Sequence, residues 1–319
     1  MSRGKKWIVA ALVLLVLGVL ICAASYRAFG FDLGKLSTVK LVTKTYDVSE
    51  EFRSIRIDGD TEKISFVLSR DGSCSVVCLE EEDDPHQVSV QGDTLRIERN
   101  VRQKAHINFG IMTERPAITV YLPETAYEAL TVDADTGDVE VPAELCFVSI
   151  SVTLDTGSVR CQASAEGDIS IRSDTGRITV SDLTADGMKL ASDTGWIEAA
   201  NVDVRGDLEI TEDTGRVTMD HVTCRNFTSR GDTGDLVMTK VLASGEFNLE
   251  RSTGDIEFKD CDADTIVVIT DTGDVFGTLL SDKVFLTRSD TGRIQVPETI
   301  TGGTCKITTD TGDIRIEIR

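Results

Sequence analysis

The triplet Asp-Thr-Gly recurs through the last two-thirds of this 319-residue chain with a spacing that never leaves 19 or 20 residues. The triplets begin at Asp135, Asp155, Asp174, Asp193, Asp213, Asp232, Asp271, Asp290 and Asp310, and a tenth copy opens with Ser252 in place of Asp. Their glycines are Gly137, Gly157, Gly176, Gly195, Gly215, Gly234, Gly254, Gly273, Gly292 and Gly312. Self-similarity at one short period is the mark of an array whose units bury their apolar faces only against neighbouring units.

Two residues after each glycine stands a branched aliphatic: Val139, Val159, Ile178, Ile197, Val217, Leu236, Ile256, Val275, Ile294 and Ile314. Five and seven residues before it lie pairs such as Val132 and Leu130, or Ile171 and Ile169, with polar residues between. Alternation on both sides of a tight turn predicts two strands per repeat. Stacked in register, such coils place like residues in columns. The expected fold is all-β: a parallel single-chain β-solenoid of ten 19–20-residue coils with an irregular β N-terminal cap, preceded by one transmembrane helix. At ~4.8 Å per strand the ten coils make a rod about 48 Å long.

The triplet is read as a structural corner. Glycine reaches positive φ at little cost, and Asp is expected to accept a backbone N–H two residues on, as in an Asx turn. Asp-Thr-Gly is also the active-site triplet of aspartic proteases, but that chemistry needs two carboxylates sharing one proton, not nine in a column. Calcium is the one cofactor the column admits. Asp235, Asp255 and Asp274, each following a corner glycine, form the candidate patch, although Ca²⁺ requires six to eight oxygens. The expectation is no metal, no cofactor and no catalytic residue.

The first 27 residues hold Arg3, Lys5, Lys6 and Arg27 and no acid, so residues 28–319 carry −25 of the net −21. A body of that sign repels phosphate and excludes nucleic acid as a partner. Trp7 to Ala24 is an unbroken apolar run of 18 residues, about 27 Å as a helix and long enough to span hydrocarbon. Basic residues before it place the N-terminus in the cytoplasm and the body outside. A cleaved signal peptide is the rival reading. The eight cysteines show no CxxC pair and no small-domain disulfide framework, and most are expected as buried apolar fillers.

The domain boundaries expected are 1–25 for the cytoplasmic tip and transmembrane helix, 26–38 for a juxtamembrane linker, 39–128 for the β cap region and 129–319 for the solenoid. Residues 99–114 break the strand pattern. They are read as a hairpin that plugs the solenoid end, or as a surface loop that touches the membrane or a partner; their Phe109 and Met112, with the solvent-facing Trp196, are the possible partner contacts. The chain closes on a strand, residues 313–319, expected at an open edge and hence a place for self-association.

The triplet ladder, the Ile118-to-Pro123 stretch and the N-terminal apolar helix together resemble a bacterial family of candidate adhesins whose domain is a toastrack-like β-solenoid of unknown function. The resemblance spans roughly residues 40–319. It implies a surface or envelope role and brings no catalytic residues. The function expected is a non-catalytic membrane-anchored scaffold, adhesin-like or assembling envelope or surface proteins. An envelope-stress sensor and a carbohydrate-binding or carbohydrate-active β-helix are the alternatives.

Overall fold

A computed structural model describes residues 3–29, 40–99 and 115–319. The segment holding Phe109 and Met112, and most of the expected linker, lie outside these residues. The chain opens on the apolar helix Arg3–Phe29, which runs five residues past the apolar stretch that Ala24 closes. Within it Ala11–Ala28 has mean hydropathy 2.2 and no buried residue, long and apolar enough for a membrane span or a signal sequence. Past the helix, the described chain is built of strands joined into one continuous sheet system.

The fold is a parallel β-solenoid of about ten turns, as the period requires. Its coils have three sides, not two. In the strand Asp168–Ala185, Ile169 and Ile171 face inward before the Asp-Thr-Gly corner, and Ile178 and Val180 follow it. Leu183 and Ala185 then face inward from a third side. In five central coils the bend between the second and third sides is a residue in left-handed conformation, six after the corner glycine: Asp182 (φ 57°), Asn201 (55°), His221 (53°), Lys240 (51°) and Asp260 (55°). Asp, Asn and His tolerate this region better than most residues, so nothing as conspicuous as glycine marks the bend. Neighbouring coils pair in register, Gly176 with Gly195 and Gly195 with Gly215. The interior columns of Val, Ile, Leu and Phe are almost wholly buried. Each such side chain contributes roughly 1.5–3 kcal/mol when fully buried.

At both ends, coils stack out of sequence order. Near the N-terminus, Ser54–Gly59 lies between Ala126–Thr136 and Thr94–Arg99, and Lys63–Leu68 lies between Val139–Val141 and Ala117–Leu122. Antiparallel strands then close the stack: His86–Gln91 on one side, and Cys74–Glu81 followed by Leu41–Val48 on another. The cap is therefore continuous with the solenoid sheet.

At the far end, Gly303–Thr311 inserts between Thr265–Thr272 and Lys283–Thr291. Ile314–Ile318 likewise pairs with Val275–Leu279 on one side and with Ile294–Gln295 on the other. The last strand of the chain is thus not the open edge; Lys283–Thr291 of the preceding coil is. The cause is visible in the inward columns. The final coil offers Cys305 and Ile307, both buried, whereas the preceding coil offers Phe285 and Thr287, and a Thr in an aliphatic column costs least at the end of the stack.

Candidate functional surfaces

At the corner, Gly157 has φ 144°, and a Cβ there would overlap the carbonyl oxygen of Gly137 in the coil below. The same overlap repeats along the glycine column. Conformation and close approach together demand glycine. The corner N–H does not close an Asx turn. Gly137 N–H donates to Thr156 O (2.9 Å), Gly157 to Thr175 O (2.8 Å) and Gly234 to Thr253 O (2.8 Å), each in the next coil. The Asp carboxylates face solvent instead; Asp174 and Asp193 share Arg172, at 2.8 Å each. The column also continues into the cap. Asp60-Thr61-Glu62 forms an eleventh corner, since Thr136 N–H donates to Asp60 O and the Gly137 Cβ position falls on Glu62 O. Glu62 in the glycine place hid it from the repeat count.

After Ala134 and Leu154 in the first two coils, the residue before the corner triplet forms a largely polar column in the interior. Ser173 Oγ donates to Gly157 O (2.9 Å) and Thr309 Oγ1 to Gly273 O (3.3 Å), satisfying corner carbonyls. In the same column stand Glu212, Gly231 and Arg251. Arg251 Nη2 lies 3.5 Å from Glu212 Oε2 and 3.0 Å from Ser229 Oγ, with both charged side chains fully enclosed. Burial pushes the Glu212 carboxyl up to about 7 against the pull of Arg251, and burial lowers Arg251.

The residue after the glycine forms a second ladder. Asp255 N–H donates to Asp235 Oδ1 (3.2 Å), Asp274 N–H to Asp255 Oδ1 (2.8 Å) and Asp313 N–H to Asp274 Oδ1 (2.7 Å). Arg293 N–H ends the run on Asp313 Oδ1 (2.8 Å). Arg216 closes the other end on Asp235 Oδ2 (2.7 Å). The three aspartates singled out as a calcium patch thus each give an oxygen to the coil above. Trp196 sits in this column, half-exposed, with the Arg177 guanidinium 4.6 Å from its ring centre.

The cap holds a buried cluster that the repeat-based reading passed over. Cys74–Glu81 alternates strictly, so Cys78 and Glu80 face the interior together. His86 opens the next strand and points back at them. Its Nδ1 lies 2.7 Å from Glu80 Oε2, and its Nε2 lies 3.3 Å from Glu62 Oε1. Glu80 also accepts the His86 backbone N–H (2.8 Å) and the Tyr46 hydroxyl (2.9 Å), and pairs with Lys44 (3.1 Å). Burial alone would lower His86, but the neighbouring Cys78, Glu62 and Glu80 side chains outweigh it and hold the imidazole at about 10. Burial would likewise raise Glu62, yet His86 and the Asp60 N–H hold it at about 2. The spacing Cys-x-Glu-x₅-His was the available sequence signal. The six cysteines Cys74, Cys78, Cys161, Cys224, Cys261 and Cys305 are buried thiols; Cys22 and Cys146 are exposed, and all eight are free.

A rod of stacked coils with a glycine corner column and a capped first end is a toastrack-type solenoid. The chain belongs to the Toastrack DUF4097 family, which matches residues 52–213 and 202–319. Among solved structures, it is similar to a candidate adhesin from Bacteroides fragilis (18% identity, 87% of this chain and 97% of that one, TM-score 0.41). It is also similar to a candidate lipid-binding protein from Parabacteroides distasonis (12% identity, 86% and 97%, TM-score 0.48). A candidate adhesin from Parabacteroides merdae shares 11% identity over 87% and 96%, with TM-score 0.47. No curated protein matches the sequence.

Proposed function

We propose that the chain is a non-catalytic, membrane-anchored rod outside the cytoplasm, adhesin-like, whose far tip binds a second copy of itself. The observation that carries this reading is where the exposed apolar side chains lie. Outside the N-terminal helix, four of the ten exposed large apolar side chains among the described residues, Leu280, Leu286, Ile294 and Ile300, gather on and beside the outermost coil, and Ile300 and Leu286 are the two most exposed of the ten; the other six are spread along the rod. That coil also holds an edge of Lys283–Thr291 that no strand among the described residues pairs with, and an unpaired edge is a template for another strand. At the surface of residues 283–300, Arg288 and Arg293 balance Asp290 and Glu298, while Lys283 is buried against Asp262, so the tip is neutral in a body of −25. Two rods therefore repel along their sides and not at their tips. Apart from Asp71, a turn carboxyl held down by hydrogen bonds from Ser69 and Ser73, the ionisable groups with strongly shifted pKa values are enclosed or partly enclosed in the cap and the coil interior, which favours a binding role over catalysis.

The test uses the full chain reconstituted into vesicles. Vesicles bearing it should cluster in trans, and Leu286→Glu with Ile300→Glu, both exposed positions, should abolish clustering without unfolding the rod. Vesicles that stay dispersed, or that cluster equally with the double variant, would exclude this role for the tip.

A further inference from the structure

Neither the fold nor a tip-binding role explains why a thiol, two carboxylates and an imidazole are sealed together in the cap. One donor atom from each of Cys78, Glu80 and His86 lies within 4.8 Å of the others, and all three residues are buried. We propose that Cys78, Glu80 and His86 form a binding site for a divalent transition metal of zinc type, with Glu62 orienting the imidazole.

The donor set argues the class of ion. One sulfur, one nitrogen and one carboxylate oxygen suit a borderline cation such as Zn²⁺; Ca²⁺ and Mg²⁺ take oxygen alone. Tetrahedral zinc with ligands at about 2.0–2.3 Å needs donors roughly 3.3–3.8 Å apart. The three side chains therefore need only small shifts to close on an ion. His86 Nδ1 faces Glu80, so it is the ligating nitrogen. Nε2 then keeps its proton and faces Glu62 Oε1 at 3.3 Å. That nitrogen is buried and has no aligned hydrogen-bond acceptor among the described residues. An outer carboxylate that takes the second N–H of a ligating histidine is the usual support of a metal site.

The ligands come from two strands joined by a short turn, so the ion would staple Cys74–Glu81 to His86–Gln91.

The untagged full chain in detergent, stripped with chelator, is titrated with Co²⁺. Expected are one equivalent per chain, a near-ultraviolet thiolate-to-cobalt charge-transfer band, visible bands of four-coordinate cobalt, and displacement of all of these by Zn²⁺. Cys78→Ser should lose the charge-transfer band, and Cys74→Ser should keep it. Should Cys78→Ser fail to fold, the wild-type spectrum decides alone. A wild-type chain that binds no cobalt at one equivalent, or binds it without the thiolate band, overturns the proposal. So does a band that survives Cys78→Ser.

Discussion

Arg251 reaches Glu212 across a coil that belongs to neither of them, and the residue standing between them is Gly231. A Cβ at Gly231 would lie 2.7 Å from Arg251 Nη1 and 2.8 Å from Glu212 Oε2. The missing side chain is the space in which the ion pair sits. Gly231→Ala should therefore lower the unfolding midpoint although Gly231 has no left-handed φ. The loss should shrink when Glu212→Gln and Arg251→Met are added, because the crowded ion pair is then gone.

Removing one charge of this pair strands the other. Arg251→Met alone should destabilise by about 3–5 kcal/mol above pH 7, while the double variant Glu212→Gln/Arg251→Met should be near neutral. Urea unfolding of the four proteins supplies the cycle.

The same pair gives a pH dependence with a definite sign. The folded carboxyl of Glu212 is raised to about 7 from an ordinary 4.5. Its contribution is fully present below about pH 4.5 and is lost as pH rises through about 7. Glu212→Gln should flatten that part of the stability profile between pH 5 and 8, read as midpoint against pH.

Glycine at the corner is tested by a matched pair. Gly195→Ala must hold φ 159° and place a Cβ on the Gly176 carbonyl oxygen, and should cost about 3 kcal/mol or more. Gly72→Ala has φ 75° with open space around it and should cost about 1–2 kcal/mol. Equal losses would remove the close approach from the explanation.

In the aspartate ladder, Asp255→Asn keeps an acceptor for the Asp274 N–H and relieves like-charge repulsion, so it should be neutral or slightly stabilising at low salt. Asp255→Ala leaves that N–H without its carboxylate partner and should cost about 1 kcal/mol. Thermal melts at low and high salt separate the two effects, since screening weakens only the repulsion.

The solenoid was legible because its columns repeat: a branched aliphatic two after every glycine leaves few other folds. The third side was not, since its bends use Asp182, Asn201, His221 and Lys240, four residue types with no shared signature. The order of the last two coils was written in Thr287, a polar residue in an aliphatic column, yet sequence order hid it. The cap cluster escaped because Glu62, Glu80 and His86 are polar residues at inward positions, which alternation assigns to surface. Their burial follows from pairing between strands far apart in sequence, and no local pattern carries that.

The coil that ends the chain is clamped between two others, and this changes how the rod comes apart and how it is made. A strand at a stack's tip frays by breaking one ladder. Ile314–Ile318 must break two. Digestion or fraying from the C-terminus is therefore held back by the coil synthesised before it. Residues 283–295 precede residues 303–319 in the chain yet rest on them and not on the Gly273 coil, so they reach this position only once 303–319 is in place. The outermost coil is seated by the segment that follows it, as a latch is held by a bolt shot behind it.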